Sequence, residues 1–343
     1  MKKINKGISL LLATMLSAML FVGCGDKKEE TPKENTTVTV EDQLGRTVEI
    51  KGEVNRIVSS YYVSTSMLIE LGVQDKVVGI EKNAKNKEMY KKVAPEFLEL
   101  PGVGTGKEIN VEECMNLNPD LVIIPTRLKE FIPQFEKLDI PVLAIEPETL
   151  DAFMSTVKML GTAIGVEEKS NEFIKYYEDT LEKVEDLTKD LKNKPNVYLG
   201  GTDSILKTST SKMYQNYMIE VSGGKSVTSE LTDGYWTNIS VEQLITYNPD
   251  YIYIVGYASY GVEDVLNDSR LQEINAVKNK KVYVFPSIIE PWDYPTPSSI
   301  LGMLWITSNI HPDIYSVDSF RNDAKEFYKN FFDLEVNDKE IGL

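Results

Sequence analysis

The chain has 343 residues, with 53 Asp or Glu against 37 Lys or Arg and a formal net charge of −16. A surface that negative repels nucleic acid and anionic lipid, which argues against a DNA or RNA partner. Two cysteines leave no disulfide framework, and the single histidine, His311, cannot build a site for a bare Zn²⁺-type ion, which wants several His or Cys ligands.

Residues 1–23 read as a bacterial secretory signal: basic Lys2, Lys3 and Lys6, the apolar run "ISLLLATMLSAMLFV", then small residues. The run is shorter than the roughly 18 residues of a membrane span. "FVGC" resembles a lipobox, in which Cys24 becomes the lipid-bearing N-terminus, although Phe21 stands where leucine is usual. Removing residues 1–23 takes three lysines and no acids and leaves a net charge of −19. Residues 24–37 are charged, contain a proline and carry no large apolar side chain, so a disordered tether is expected. One lipid chain anchors only marginally, so stable attachment to the extracytoplasmic face of a membrane needs two or three.

Residues 38–150 open with "VTVEDQLGRTVEI", a β-hairpin signal about Gly45. The β-rich runs "NRIVSS", "KVVGI", "DLVIIP" and "PVLAIE" then alternate with helix-length segments, as in an α/β unit with a parallel sheet. Residues 151–194 are helical. Within them Phe173, Ile174, Tyr177, Leu181, Val184, Leu187 and Leu191 recur at steps of three and four, predicting a long helix over 167–191. Gly165 is placed to end the helix before it and Pro195 to stop this one. In residues 195–343 the α/β pattern restarts with "NVYLGG", "DYIYIVG" and "KKVYVFP", followed by terminal helices. The predicted fold is α/β: two lobes with largely parallel, Rossmann-like sheets, joined by one long helix, with a ligand cleft between them.

One phrase occurs in both lobes. "INVEECMNLNPDLVII" (109–124) and "ISVEQLITYNPDYIYI" (239–254) are identical at seven of sixteen positions. Asn110 with Glu113, and Ser240 with Gln243, spell capping boxes. Val111, Cys114 and Met115 match Val241, Leu244 and Ile245 as a buried stripe, making Cys114 a small core residue. Glu112 and Glu242 are used by neither the box nor the stripe; each complements a helix N-terminus or serves as an acidic contact point on its lobe.

These phrases, with "DQLGRTVEI", "NRIVSS" and "LIELGVQDKVVGI", resemble the substrate-binding proteins of ABC importers for iron chelates, haem and cobalamin, over nearly all of the mature chain. The resemblance implies two lobes bridged by one long helix. It also implies a permease dimer with its ATPase subunits as partner, docked by Glu112 and Glu242 onto permease arginines.

Ligands of open α/β sheets bind beyond the carboxyl ends of the strands. That rule selects Tyr61, Tyr62, Lys82 and Arg127 from the first lobe, and Thr202, Tyr257, Trp292 and Tyr294 from the second. Tyr235 and Trp236 lie in a loop that could reach the same space. Aromatic rings offer rigid contact to a bulky ligand, and Arg127 a fixed fork for carboxylate, catecholate or oxyanion oxygens. No resident cofactor or protein-held metal is expected. Metal would arrive already chelated, as a ferric siderophore, haem or corrinoid, or else as an oxyanion such as molybdate or tungstate.

"PGVGTGKE" fails as a phosphate loop, because Pro101 and Glu108 stand where a glycine and a Ser or Thr are needed. It reads as a cleft-side loop, and ATP hydrolysis falls to the partner. An extracytoplasmic enzyme is the competing class: His311 lies far from the cleft candidates, but a carboxylate pair such as Glu146 and Asp293 stays open. A surface adhesin would show no small-molecule stabilisation.

Overall fold

The computed structural model describes residues 37–343; the signal peptide, Cys24 and the tether up to residue 36 lie outside the described residues. β1 (Thr37–Glu41) and β2 (Thr47–Lys51) form the antiparallel hairpin, with Gly45 in the left-handed region at φ 72°. Thr37, expected as the last residue of a tether, instead pairs with Lys51 in the hairpin.

The first lobe follows as β3 (Ile57–Ser59), α1 (Tyr62–Glu70), β4 (Val77–Glu81), α2 (Glu88–Val93), β5 (Gly102–Thr105), β6 (Glu108–Ile109), α3 (Val111–Asn116), β7 (Leu121–Pro125), α4 (Ile132–Glu136) and β8 (Val142–Ile145). Its sheet has the order β6-β5-β4-β3-β7-β8 and is parallel except for the β5–β6 pair. β3, β7 and β8 are buried at every position. Strands covered on both faces are apolar throughout, which is why these runs do not alternate.

α5 (Leu150–Ile164) starts where the Thr149 hydroxyl accepts from Ala152 N–H and ends at Gly165, in the left-handed region at φ 76°. The long helix α6 (Glu167–Thr188) packs on α5 and on helices of the second lobe. It stops three residues short of Leu191 and well before Pro195. The Thr188 hydroxyl sits within 3.0 Å of Val184 O and 3.1 Å of Val221 O, and the chain turns there.

The second lobe comprises β9 (Asn196–Gly200), β10 (Lys207–Ser209), α7 (Tyr214–Val221), β11 (Lys225–Ser226), β12 (Trp236–Asn238), α8 (Val241–Tyr247), β13 (Tyr251–Ile254), α9 (Val262–Leu266), α10 (Asn275–Lys278), β14 (Val282–Val284), α11 (Ser299–Ile310) and α12 (Val317–Phe332). Its parallel sheet has the order β11-β9-β13-β14, beside a β10–β12 ribbon. The main apolar core runs without a break from Val40 and Leu68 through Phe173 and Tyr177 of α6 to Leu304 and Phe327. The halves are therefore two sheets on one continuous core, with a smaller cluster behind each sheet.

The repeat has a physical basis. In each copy an antiparallel strand leads into a short capped helix, and Asn118 (φ 47°) or Asn248 (φ 40°) then takes the left-handed turn that ends it. After the proline, Asp120 accepts from the N–H groups of Asn55 and Arg56, both at 2.9 Å, at the entry to β3. Asp250 likewise accepts from Asn196 N–H at 3.0 Å, at the entry to β9. Asn-Pro-Asp thus ends a helix and staples the neighbouring central strand.

The copies differ at the cap. Ser240 and Gln243 form the full box. Asn110 accepts from Glu113 N–H, but its own N–H donates to Val103 O at 2.8 Å, so Glu113 has no donor to reach back to. In the second copy that ladder bond falls one residue earlier, from Ile239 N–H to Leu206 O. The expected stripe also fails at one position: Ile245 is 39% exposed. Cys114 is buried, and burial pushes its thiol up to about 12.

Candidate functional site

Four of the expected residues converge where strand ends of the two lobes face each other. Tyr61 follows β3 and precedes α1. The Arg127 guanidinium, following β7, lies 4.8 Å from the centre of the Tyr61 ring, a cation–π stack. Arg127 Nε donates to the Gly106 carbonyl. A Cβ at Gly106 would displace the Arg127 guanidinium and touch the Tyr61 ring, so the absence of a side chain there lets the guanidinium lie where it does. From the second lobe, Tyr257 and Tyr294 pack with ring centres 4.9 Å apart.

Electrostatics link these side chains across the cleft. Burial raises the Tyr61 phenol far above its ordinary range, helped by Glu148 and opposed by Arg127 and its hydrogen bond. Burial pushes Tyr294 up to about 12, with Asp293 and Glu148 adding to the shift and Arg127 opposing it. Glu148, in the loop after β8, is raised by burial, with Arg127 pulling the other way. Asp293 is wholly buried, which pushes it up to about 7. The Tyr257 phenol and the Gly256 backbone lie alongside and moderate that rise, yet neither Asp293 oxygen has a donor in hydrogen-bond geometry.

Tyr235 is 43% exposed and crosses from the second lobe to donate to Glu146 of the first at 2.9 Å. Glu146 also accepts from the Thr126 hydroxyl at 3.0 Å, and beside it opens a recess of about 640 Å³. Of the two carboxylates left open as an enzymatic pair, Glu146 is held by Tyr235 and Thr126, whereas Asp293 lies wholly buried beside Tyr257.

Other candidates are placed differently. Trp292 is 1% exposed; its indole N–H donates to the Tyr328 hydroxyl at 3.0 Å and its ring meets Phe320, so it is core. Tyr62 is buried behind the cleft, donating to Glu290 at 3.0 Å beneath the Lys87 ammonium. Lys82 does sit at the end of β4, paired with Glu108 at 2.9 Å. Trp236 lies in β12 against Gly201, and the Thr202 carbonyl accepts from Ser259 N–H at 2.8 Å. Glu112 and Glu242 are both exposed in the first turns of α3 and α8, and Glu242 is lowered by its own backbone N–H, followed by the Ser240 hydroxyl.

Glu148, Glu290 and Gly106 did not stand out in the sequence as site residues. Glu148 obeys the same strand-end rule as Arg127, two residues past "PVLAIE". Glu290 carries little local signal, because two of its three side-chain partners, Tyr62 and Ser66, lie in the other half of the chain. Among the described residues no group of three or more His, Cys, Asp or Glu is placed to hold a metal ion, and no helix is long and apolar enough to cross a membrane.

The family model described as periplasmic binding protein matches residues 57–289. The molybdate-binding protein of Haemophilus influenzae is 24% identical, over 94% of this chain and 96% of that protein. Its molybdate-bound structure, titled as the cognate binding protein of an ABC transporter, superposes with a TM-score of 0.78 at 23% identity, covering 87% of this chain and 99% of that one. From Bacillus subtilis, an ABC transporter substrate-binding lipoprotein is 27% identical over 91% of this chain and 99% of its own length. The petrobactin-binding protein of the same organism is 23% identical over 82% and 92%.

Proposed function

The chain belongs to the periplasmic binding protein family, and we propose that it captures a metal chelate of the ferric siderophore, haem or corrinoid type. It is the substrate-binding component of an ABC importer. The observation that carries the chelate reading is the cross-lobe cluster of Tyr61, Arg127, Tyr257 and Tyr294. It offers rigid aromatic area and one planar cation, suited to a bulky chelate with oxygen donors. The protein performs no covalent chemistry in this reading. It is anchored through Cys24 on the extracytoplasmic face and docks on a permease dimer through Glu112 and Glu242. Ties behind the cleft, Tyr62 to Glu290 and Lys92 to Glu340 at 2.6 Å, favour small closing motions over a wide hinge.

A second reading, a molybdate or tungstate carrier, draws on the Haemophilus influenzae relative and on Arg127 as an anion anchor. Thermal unfolding of the purified protein with ferric hydroxamates, ferric catecholates, haem, cobalamin, molybdate and tungstate separates the two. Stabilisation by a chelate supports the first reading; stabilisation by the oxyanions alone replaces it with the second.

A further inference from the structure

We infer that the cleft selects a dipolar cargo, with Arg127 taking its anionic oxygens while Glu148 and Asp293, both near Tyr294, take a protonated amine or comparable donor group. The inference rests on the chelate reading and narrows it to chelates that carry a cationic arm.

Acidic side chains outnumber cations in the cleft. Arg127 stands among Tyr61, Glu148 and Tyr294, with its Nε already engaged by Gly106. Lys82, the other cation expected there, is taken by Glu108. Against one guanidinium stand Glu148, half-buried, and Asp293, wholly buried with both oxygens lacking a donor. A buried carboxylate left without donors weakens a fold, so its presence beside a ligand cleft marks a group kept for the ligand to satisfy. The adjoining recess carries the same sign, since Glu41, Glu146 and Asp151 line it together with Glu148 and it has no lysine or arginine.

The walls fit the same cargo. Tyr257 and Tyr294 are packed together beside Asp293, and phenol faces next to a carboxylate form a favourable seat for an ammonium group. A dianionic oxyanion or a trianionic tris-catecholate would bring further negative charge toward two carboxylates set against the single Arg127 guanidinium.

Ferrioxamine B, a ferric trihydroxamate with a free ammonium arm, and its N-acetylated form differ only at that arm, where acetylation replaces the charge with a small neutral amide. Equilibrium binding at neutral pH is expected to favour ferrioxamine B by about tenfold or more, and Glu148→Gln or Asp293→Asn is expected to bring the two within about twofold. Thermal unfolding of both variants checks that they fold. Equal or tighter binding of the acetylated form, or tighter binding of molybdate or a ferric tris-catecholate, overturns the inference. A tight tris-catecholate would still leave the chelate reading standing, whereas no binding by any ferric chelate removes both.

Discussion

The Tyr62 phenol donates a 3.0 Å hydrogen bond to Glu290, 228 residues further along the chain, joining α1 to the loop after β14. Ser66 and Ser298 donate to the same buried carboxylate, and Met89 N–H reaches Ile289 O beside it at 3.2 Å. Tyr62→Phe takes one donor from a buried acid and should cost about 1–3 kcal/mol in urea unfolding. A change below a few tenths would show that this tie does not hold the lobes.

Asp293 should make stability depend on pH. Burial lifts it from an ordinary 3.8 to about 7, so between those values the folded chain holds a proton that the unfolded chain has released. Stability therefore falls as pH rises across that window, by at most about 4 kcal/mol. Asp293→Asn removes this residue's share of the slope, with Glu70 and Glu81 still raised by burial, and the variant should be the more stable protein at pH 8 and level with its parent near pH 4. Urea titrations at both pH values test this; a variant less stable at pH 8 would mean that the carboxylate is satisfied in the fold.

Asp120 and Asp250 perform the same task in the two lobes. Asp120→Ala and Asp250→Ala should each lower stability by about 1–2 kcal/mol, and the double variant by their sum, because the sites share no partner. Strong non-additivity in chemical unfolding would contradict independent staples.

Gly106→Ala should push Arg127 off the Tyr61 face. Cargo affinity is expected to drop by about tenfold or more while unfolding changes by less than about 1 kcal/mol. Unchanged affinity would remove Arg127 from the site.

Glu112→Arg and Glu242→Arg should leave cargo binding intact and stop uptake by cells carrying the importer, since both acids are exposed in the first turns of their helices. Cargo accumulation at the parent rate would refute docking through these acids.

Local rules made much of the fold legible. Continuous apolar runs marked the central strands, Gly165 ended α5, and the repeated Asn-Pro-Asp marked equivalent points in both lobes. What stayed hidden depends on distant partners. Trp292 and Tyr294 are two residues apart in one loop, yet only Trp292 meets Tyr328 and Phe320 and leaves the cleft. The first capping box fails because Val103 takes the Asn110 N–H, a pairing set by the β5–β6 return. Asp293 shows no local sign that its oxygens lack donors.

In the proposed function the cleft between the lobes holds a chelate against Tyr61, Arg127, Tyr257 and Tyr294. Quenching of the protein's own fluorescence by ferric siderophores reads this directly. At least one ferric chelate should quench saturably at one site, with binding lost in Arg127→Ala and Tyr294→Ala variants that still fold. Saturable binding that both variants retain in full would contradict the account.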